Sequence, residues 1–350
     1  MPGHRPSHRV TIAEVARQAG VSTATVSRVL NRTGSFSEET AAAVRSAVAE
    51  LRYTPRAAAQ SLARGRTNTL GLLLPEIGGA FFAPLVRGIE AAAREAGFDL
   101  LIYATEPASG RGADFSRRLG ARNTDGLLVF TGSLDGAELV HLHEQGFPMV
   151  LLLQPPPENT AIPCVSFQNK SGARRIVDHL IEVHGCRRIA FLRGPEGHTD
   201  SSWREQGYRE SLAAHGIPFD VALVATGGFD EEEAQAPVED WLRQNVQLDA
   251  IFAGDDESAY GALQVLQRWG KRVPGEIALA GFDDIYFAQY LSPPLTTVRA
   301  PIEMAGRLAT ERLLSIVDGG ETTAPEILLP TELVIRESCG CLGPRLSMGA

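Results

Sequence analysis

Residues 11–31 read TIAEVARQAGVSTATVSRVLN: two short helices joined by a tight turn. Thr11 followed three residues later by Glu14 is a capping box, in which the hydroxyl accepts from a first-turn N–H and the carboxylate reaches back. Ile12, Val15, Ala16 and Ala19 recur at helical spacing and predict one buried stripe. Gly20 ends the helix, where a left-handed residue costs least. Ser22 caps a second helix, expected to run to about Leu30 with Val26, Val29 and Leu30 inward. Thr23, Ala24, Ser27 and Arg28 share its opposite face. Small residues near the N-terminus let a helix sit close to base edges, and Arg28 can fork to guanine O6 and N7. Ser37 caps a third helix, Glu38 and Glu39 favour its positive end, and Val44, Val48 and Leu51 are expected inward. Three helices over residues 9–54 predict an all-α helix-turn-helix DNA-binding head. A plain helical hairpin is the alternative, and the turn glycine and third helix count against it.

Charge points the same way. Residues 1–66 hold ten Arg, no Lys and four Glu, a net +6, whereas the whole chain carries −9. The remainder is therefore −15. A basic head on an acidic body fits a domain that meets phosphates.

Residues 55–66 (PRAAAQSLARGR) form the stretch between head and body. Pro55 suits a first helical turn and the alanines favour helix, yet Leu62 is the one large apolar residue. Such a helix is marginal in water. It is either a plain linker or a helix formed only against a partner, with Leu62 as a minor-groove wedge.

From Leu70 the pattern changes to apolar runs of four to seven residues separated by helices, as in TLGLLLPEI, DLLIYAT, GLLVF and PMVLLLQ. Helices are expected at Pro84–Ala96, about 111–122 and Leu139–Gln145. This alternation predicts a parallel sheet covered on both faces. The pattern restarts after Phe167: RIAFLRG, ALVATGG, DAIFAGDD and IALAGFDD alternate with helices near 171–184, 203–215, 231–244 and 257–269. A helix within TTVRAPIEMAGRLATERLLSIVDGG and a final strand pair, ILLPTELVIRES, complete the body. Two α/β lobes aim their strand C-terminal ends, and so their loops, at a shared cleft. The candidate loops are 78–82, 130–133, 194–208, 227–230, 253–258 and 281–286. Their aromatics, acids and one Arg suit a polyhydroxylated ligand.

The chain shows no GxGxxG after the first strand, no GxxxxGK[ST], no GxSxG and no HExxH, so the cleft reads as a sensor rather than an enzyme site. Cys164, Cys186, Cys339 and Cys341 are scattered, which argues against a disulfide framework. Cys339-Gly-Cys341 could bind metal or form a disulfide, but the expectation is a reduced pair at the tail. No metal and no cofactor are expected, and His141-Leu-His143 reads as an exposed helical pair. No apolar run is long enough to span a membrane, and MPGHRPSHRV lacks the apolar core of a signal peptide. A cytoplasmic location is the expectation.

The head segment, the linker RAAAQSLA, the GFDD loop and PPLTTVRAP (293–301) together resemble the LacI/GalR family of transcriptional regulators, and within it the galactose and purine repressors. The resemblance spans nearly the whole chain. It implies a homodimer on a palindromic double-stranded operator. Thr23, Ala24 and Arg28, with Ser27 beside them, would meet base edges. Thr11, Ser22, Thr25, Asn31, Ser37, Tyr53 and Arg56 would hold the DNA backbone, contacts that position rather than specify. Ala59 and Leu62 would enter the minor groove, where Leu62 would pair with its dimer mate and open a central step, expected to be CG.

The resemblance also implies a two-lobed α/β body of the periplasmic-binding-protein kind over 67–340. Lobe one would be about 69–165 plus 294–323, lobe two about 166–293 plus 324–340, and 341–350 a tail. Phe82, Arg204, Phe229, Asp255 and Asp283 would bind a small-molecule effector, sugar-like in character. Phe82 and Phe229 would sandwich it while Arg204 and Asp283 held its polar edge. Gln168 departs from the family's D-N-x-x-G pattern at an edge where many relatives place Asp. The ten residues after Gly340 carry no heptads, so a dimer is expected rather than a tetramer. Three alternatives stand beside this: a solute-binding protein without a DNA role, a carbohydrate-acting enzyme, and a regulator whose body senses a partner protein.

Overall fold

A computed structural model describes residues 10–31, 34–53, 66–105, 123–320 and 326–342. The expected helix at about 111–122 and the linker residues Arg56, Ala59 and Leu62 lie outside them. The chain divides into two units, Met1–Asn68 and Thr69–Ala350.

The first unit holds α1 (Ile12–Ala19), α2 (Thr23–Asn31) and α3 (Glu38–Glu50). The Glu14 carboxylate accepts from the Thr11 N–H at 2.7 Å and from its hydroxyl at 2.9 Å. Gly20 ends α1 at φ 67°. The Ser22 hydroxyl accepts from the Thr25 N–H at 3.1 Å, and Ser37 does the same for Thr40. Val15, Ala16, Val26, Val29, Ala41, Val44 and Ala47 form the core. Leu30, Val48 and Leu51, expected fully inward, are only half-buried against it. Ala41 and Ala47 take the central places on α3 because a small side chain lets α1 approach closely.

In the second unit, β1 (Thr69–Leu74), α4 (Phe82–Glu95), β2 (Asp99–Ala104), β3 (Gly126–Phe130), α5 (Gly136–Glu144), β4 (Met149–Leu152) and β5 (Cys164–Phe167) run first. Next come α6 (Asn169–Glu182), β6 (Ile189–Arg193), α7 (Thr199–Ala214), β7 (Val224–Thr226), α8 (Gln235–Arg243), β8 (Ala250–Ala253), α9 (Asp256–Arg268) and β9 (Ala278–Ala280). β10 (Thr297–Arg299), α10 (Ile302–Val317), β11 (Glu326–Leu329) and β12 (Glu332–Val334) close it.

One parallel sheet is ordered β11-β5-β4-β3-β1-β2 and a second β7-β6-β8-β9. Side chains alternate across each sheet. Leu70, Leu72, Leu128 and Val150 face α4 and α10 through Leu85, Ile89, Ala309 and Leu313. Leu73, Leu127, Val129 and Leu151 face α5 through Leu139 and Leu142. The second sheet divides likewise: Leu192, Ile251 and Leu279 pack with Trp241 and Leu263, while Phe191 and Phe252 pack with Tyr208. Both faces being covered explains why these strands read as unbroken apolar runs.

The end of the chain departs from the expectation. β11 pairs with β5 in the first sheet, and β12 pairs antiparallel with β10. The expected strand pair is therefore not a hairpin, and residues 324–340 do not all belong to the second lobe. Pro330 and Thr331 separate two strands that serve different lobes. β5 likewise carries the first sheet on to Phe167, two residues past the expected crossing.

Candidate functional site

The outward face of α2 carries exposed Thr23, Ala24 and Arg28. Among the described residues, the Arg28 side chain hydrogen-bonds only its own helix, at 3.4 Å from Nε to the Ala24 carbonyl, which leaves its guanidinium available to a groove. Ser27 is half-buried and accepts from Asn31 Nδ2 at 3.3 Å. Asn31 Oδ1 is buried without a hydrogen-bond partner. The Ser22 and Thr25 hydroxyls bond each other at 2.9 Å beside the helix N-terminus, a place suited to phosphate. Thr11 is exposed, Ser37 serves α3 as its cap, and Tyr53 packs on the head core.

The second unit encloses a cavity of about 760 Å³ whose lining includes Phe82, Arg204, Phe229, Asp255 and Asp283. The five lie on loops or within the first two helical turns that follow β1, β6, β7, β8 and β9, at the C-terminal ends of parallel strands. Those ends are where α/β sheets bind ligands.

Arg204 is the anchor. It is 2% exposed, and its Nε donates to Asn169 Oδ1 at 2.9 Å and Nη2 to Asp283 Oδ1 at 3.0 Å. Nη1 donates to the Gly254 carbonyl. Its plane lies 3.8 Å over the Phe282 ring, with Phe229 at 5.4 Å. An arginine has five N–H donors, so two remain for a ligand. Phe229 sits at φ 60°, against the backbone of Gly194, where a Cβ would come within 2.3 Å of the ring. The Phe81, Phe82 and Phe130 rings meet edge-on at 5.2 to 6.0 Å on the first lobe's side.

Acids surround Arg204. Burial raises Asp200 to about 7 against the lowering pull of Arg204, and Asp200 Oδ1 has no hydrogen-bond partner. Burial also raises Asp255 to about 7, although its carboxylate caps α9 at Ser258 and Glu257. Asp283 is raised by burial despite Arg204. His198 is pushed down to about 4 by burial and by Arg204, so it stays neutral, with Nδ1 unpartnered. Buried polar atoms without partners are costly, and a ligand rich in hydroxyls would satisfy them.

The sequence reading singled out neither Asp200 nor Phe130, though both fall in loops it flagged. Asp200 and Arg204 stand four apart on α7, hence on one helical face, and that signal was available. Gln168 is exposed at the N-cap of α6, outside the cavity lining. The next residue, Asn169, reaches the site indirectly, through the Arg204 Nε–H that its Oδ1 accepts.

The family described as bacterial regulatory proteins, lacI family, matches residues 11–56, and a periplasmic binding protein-like domain matches 177–339. The ribose operon repressor of Halalkalibacterium halodurans is 36% identical over 94% of this chain and 96% of its own. The HTH-type transcriptional regulator CelR of Thermobifida fusca is 35% identical, over 94% and 98%. A solved transcriptional regulator CelR–cellobiose complex matches at TM-score 0.72 and 34% identity, covering 94% of this chain and all of that one. The lac repressor dimer bound to operator and the anti-inducer ONPF matches at TM-score 0.82 and 27% identity, covering 95% and 99%. The chain belongs to the lacI family of bacterial regulatory proteins.

Proposed function

We propose that this transcriptional regulator is a repressor that binds a palindromic operator as a homodimer and is controlled by a sugar or sugar derivative held between its lobes. One observation carries the effector class. A buried Arg204–Asp283 pair with two spare N–H donors stands beside the orphan Asp200 oxygen in a cavity that phenylalanine rings also line. Hydroxyls answer the acids and the arginine, and the C–H faces of a ring answer the phenylalanines. The solved CelR relative is a complex with cellobiose, and the H. halodurans relative is named for ribose, which supports a saccharide.

Thr23, Ala24, Ser27 and Arg28 read bases in this proposal, and Thr11, Ser22, Thr25, Asn31, Ser37, Tyr53 and Arg56 hold the backbone. Ala59 and Leu62 enter the minor groove. Phe82 and Phe229 flank the effector, and Asp255 joins Arg204 and Asp283 on its polar edge. Effector binding changes the angle between lobes and hence the spacing of paired hinges, the bistable element that allostery requires. The family is one of DNA-binding regulators, and the cleft is assigned binding without turnover. No described helix is long and apolar enough to cross a membrane; a cytoplasmic location is part of this proposal, supported by action on DNA.

A thermal-shift panel of pentoses, hexoses, disaccharides, sugar acids and nucleobases on the full-length protein tests the reading. A ligand at 100-fold its Kd adds ~2.7 kcal/mol of stability. The stabilising sugar should also change operator affinity. A hit among nucleobases alone overturns the effector class, and a panel without hits favours a protein partner for the body.

A further inference from the structure

The Cys339-Gly340-Cys341 turn folds back onto the end of α6. His179 lies in the last turn of that helix, and His184 follows the Val183 C-cap. Cys339 Sγ stands 3.6 Å from His179 Nε2. Cys341 Sγ stands 3.7 Å from the same atom and 3.5 Å from His184 Nε2. One ligand atom from each of the four residues fits within a span of 4.8 Å. The pair is reduced, as expected of it, but it is packed rather than loose: Cys339 is 2% exposed and Cys341 half-buried.

These distances have a metrical meaning. A tetrahedral zinc with Zn–S of about 2.3 Å and Zn–N of about 2.05 Å has N···S edges of about 3.6 Å. Ordinary hydrogen bonding does not require three sulfur–nitrogen separations at that value around one point. The spacing His-x4-His falls within the range used by structural zinc sites, and Cys-x-Cys is one residue tighter than usual. Gly340 makes the tighter turn possible: its φ is +108°, and a Cβ there would lie 3.2 Å from His184 Nδ1.

We propose that His179, His184, Cys339 and Cys341 bind one zinc ion, which clips the end of the chain to the C-terminal end of α6. Two thiolates and two neutral imidazoles form the mixed soft and intermediate donor set that selects zinc. As the ion binds, the two thiols lose their protons to solvent, leaving the site neutral overall. One outer contact is already in place: Thr296 Oγ1 donates to Cys339 Sγ at 3.1 Å, the kind of hydrogen bond that orients a metal ligand. The preceding residue is fixed as well. Ser338 Oγ donates to the Leu279 carbonyl at 2.7 Å and accepts from the Thr296 N–H at 2.8 Å. The approach of Cys339 to α6 is therefore set before any ion arrives. None of the four residues lines the effector cavity, so the clip is a second site with a structural role.

The test uses reduced, full-length protein without a polyhistidine tag. Elemental analysis should find about one zinc per chain, and cobalt(II) should give the intense visible absorption and thiolate charge-transfer bands of a tetrahedral site. Cys341→Ser and His184→Ala should each lower zinc affinity at least ~10-fold, while His141→Ala, on the exposed helical pair, should leave it unchanged. A chelator should lower the Tm of the wild type but not that of Cys341→Ser. Because Cys341 is only half-buried, that variant is expected to fold, and its circular dichroism spectrum checks this. Two outcomes overturn the proposal: reduced wild type binding zinc no better than Cys341→Ser, or a Cys339–Cys341 disulfide whose reduction produces no metal affinity.

Discussion

Glu257 Oε1 accepts the Ala80 N–H at 2.7 Å, joining the first turn of α9 in the second lobe to the loop after β1 in the first. If the lobes change angle as proposed above, a hydrogen bond that spans the cleft is made or broken with them. Burial raises the Glu257 pKa and nearby Glu76 and Asp230 raise it further, while the Ala80 N–H opposes them.

Glu257→Ala should therefore weaken effector binding without touching the Arg204 cluster. A hydrogen bond to a charged group is worth about 1.5–3 kcal/mol, and partial exposure argues for the lower end, a loss of roughly tenfold. Glu257→Gln keeps an acceptor and should stay near wild type. Isothermal titration calorimetry with the identified effector reads both; equal affinities for all three proteins would remove the latch.

Arg204→Ala should abolish the effector response and also destabilise the fold. Removing the guanidinium leaves Asp283 and Asp200 buried without a countercharge, a change that costs about 3–5 kcal/mol when a buried pair is broken. Arg204→Lys retains the charge but not the planar fork that serves Asn169, Gly254 and Asp283 together. It should recover part of the stability and little of the effector binding. Chemical denaturation and ligand titration separate these effects, and a normal ligand response in Arg204→Ala would misplace the pocket.

Arg28→Ala should lower affinity for the operator more than for scrambled DNA. A bidentate base contact is worth about 1–3 kcal/mol of discrimination, whereas a phosphate contact is lost equally on every sequence. Arg28 is exposed and, among the described residues, holds only a long bond to the Ala24 carbonyl, so the substitution should leave the head folded. Fluorescence anisotropy on both DNAs decides the matter, with an equal loss assigning Arg28 to the backbone.

What the sequence made legible was local. Capping at Thr11, Ser22 and Ser37, the turn at Gly20 and the stripe through Val15 and Val26 depend on residues a few positions apart. Strand runs and their loops were legible for the same reason, but the choice of Phe82, Arg204, Phe229, Asp255 and Asp283 within those loops came from the family resemblance; all five line one cavity. Pairing across long separations was not. β11 and β12 are three residues apart at their nearest ends, yet each pairs with a distant strand rather than with the other. His179 and Cys339 meet over 160 residues, with no periodicity to announce it. Asp255 and Asp256 are adjacent and alike in sequence. Asp255 lines the cavity, whereas Asp256 is fully buried and accepts from Thr297 Oγ1 and the Ile285 N–H, pinning the GFDD loop from behind.

The acid cluster also predicts how stability depends on pH. Asp200 and Asp255, raised by burial to about 7, bind protons in the folded protein that the unfolded chain has already lost. Their ionisation therefore costs stability above pH 7, and the cost is relieved as pH falls towards the unfolded value near 4. His198 acts in the opposite sense. Its folded pKa of about 4 lies below the ordinary 6.5, so it contributes stability above about pH 6.5 that is lost as pH falls towards 4. Around the cleft the two trends separate between about pH 8 and about pH 6.5, where the acids titrate and His198 does not; outside the cleft, His215, raised by the Ser211 carbonyl and by Glu182, adds a trend of the same sign, which a His215→Gln background removes. In that window the unliganded protein, with chelator present to silence cysteine–metal chemistry, should become more stable as pH falls. Each group can contribute at most ~1.4 kcal/mol per pH unit. Asp200→Asn should flatten the slope, since it removes one of the carboxyls that burial raises to about 7 and needs no countercharge. Melting curves at several pH values measure it; a Tm that is constant or falls from about pH 8 to about pH 6.5 would mean that these carboxyls are solvated and the cleft open.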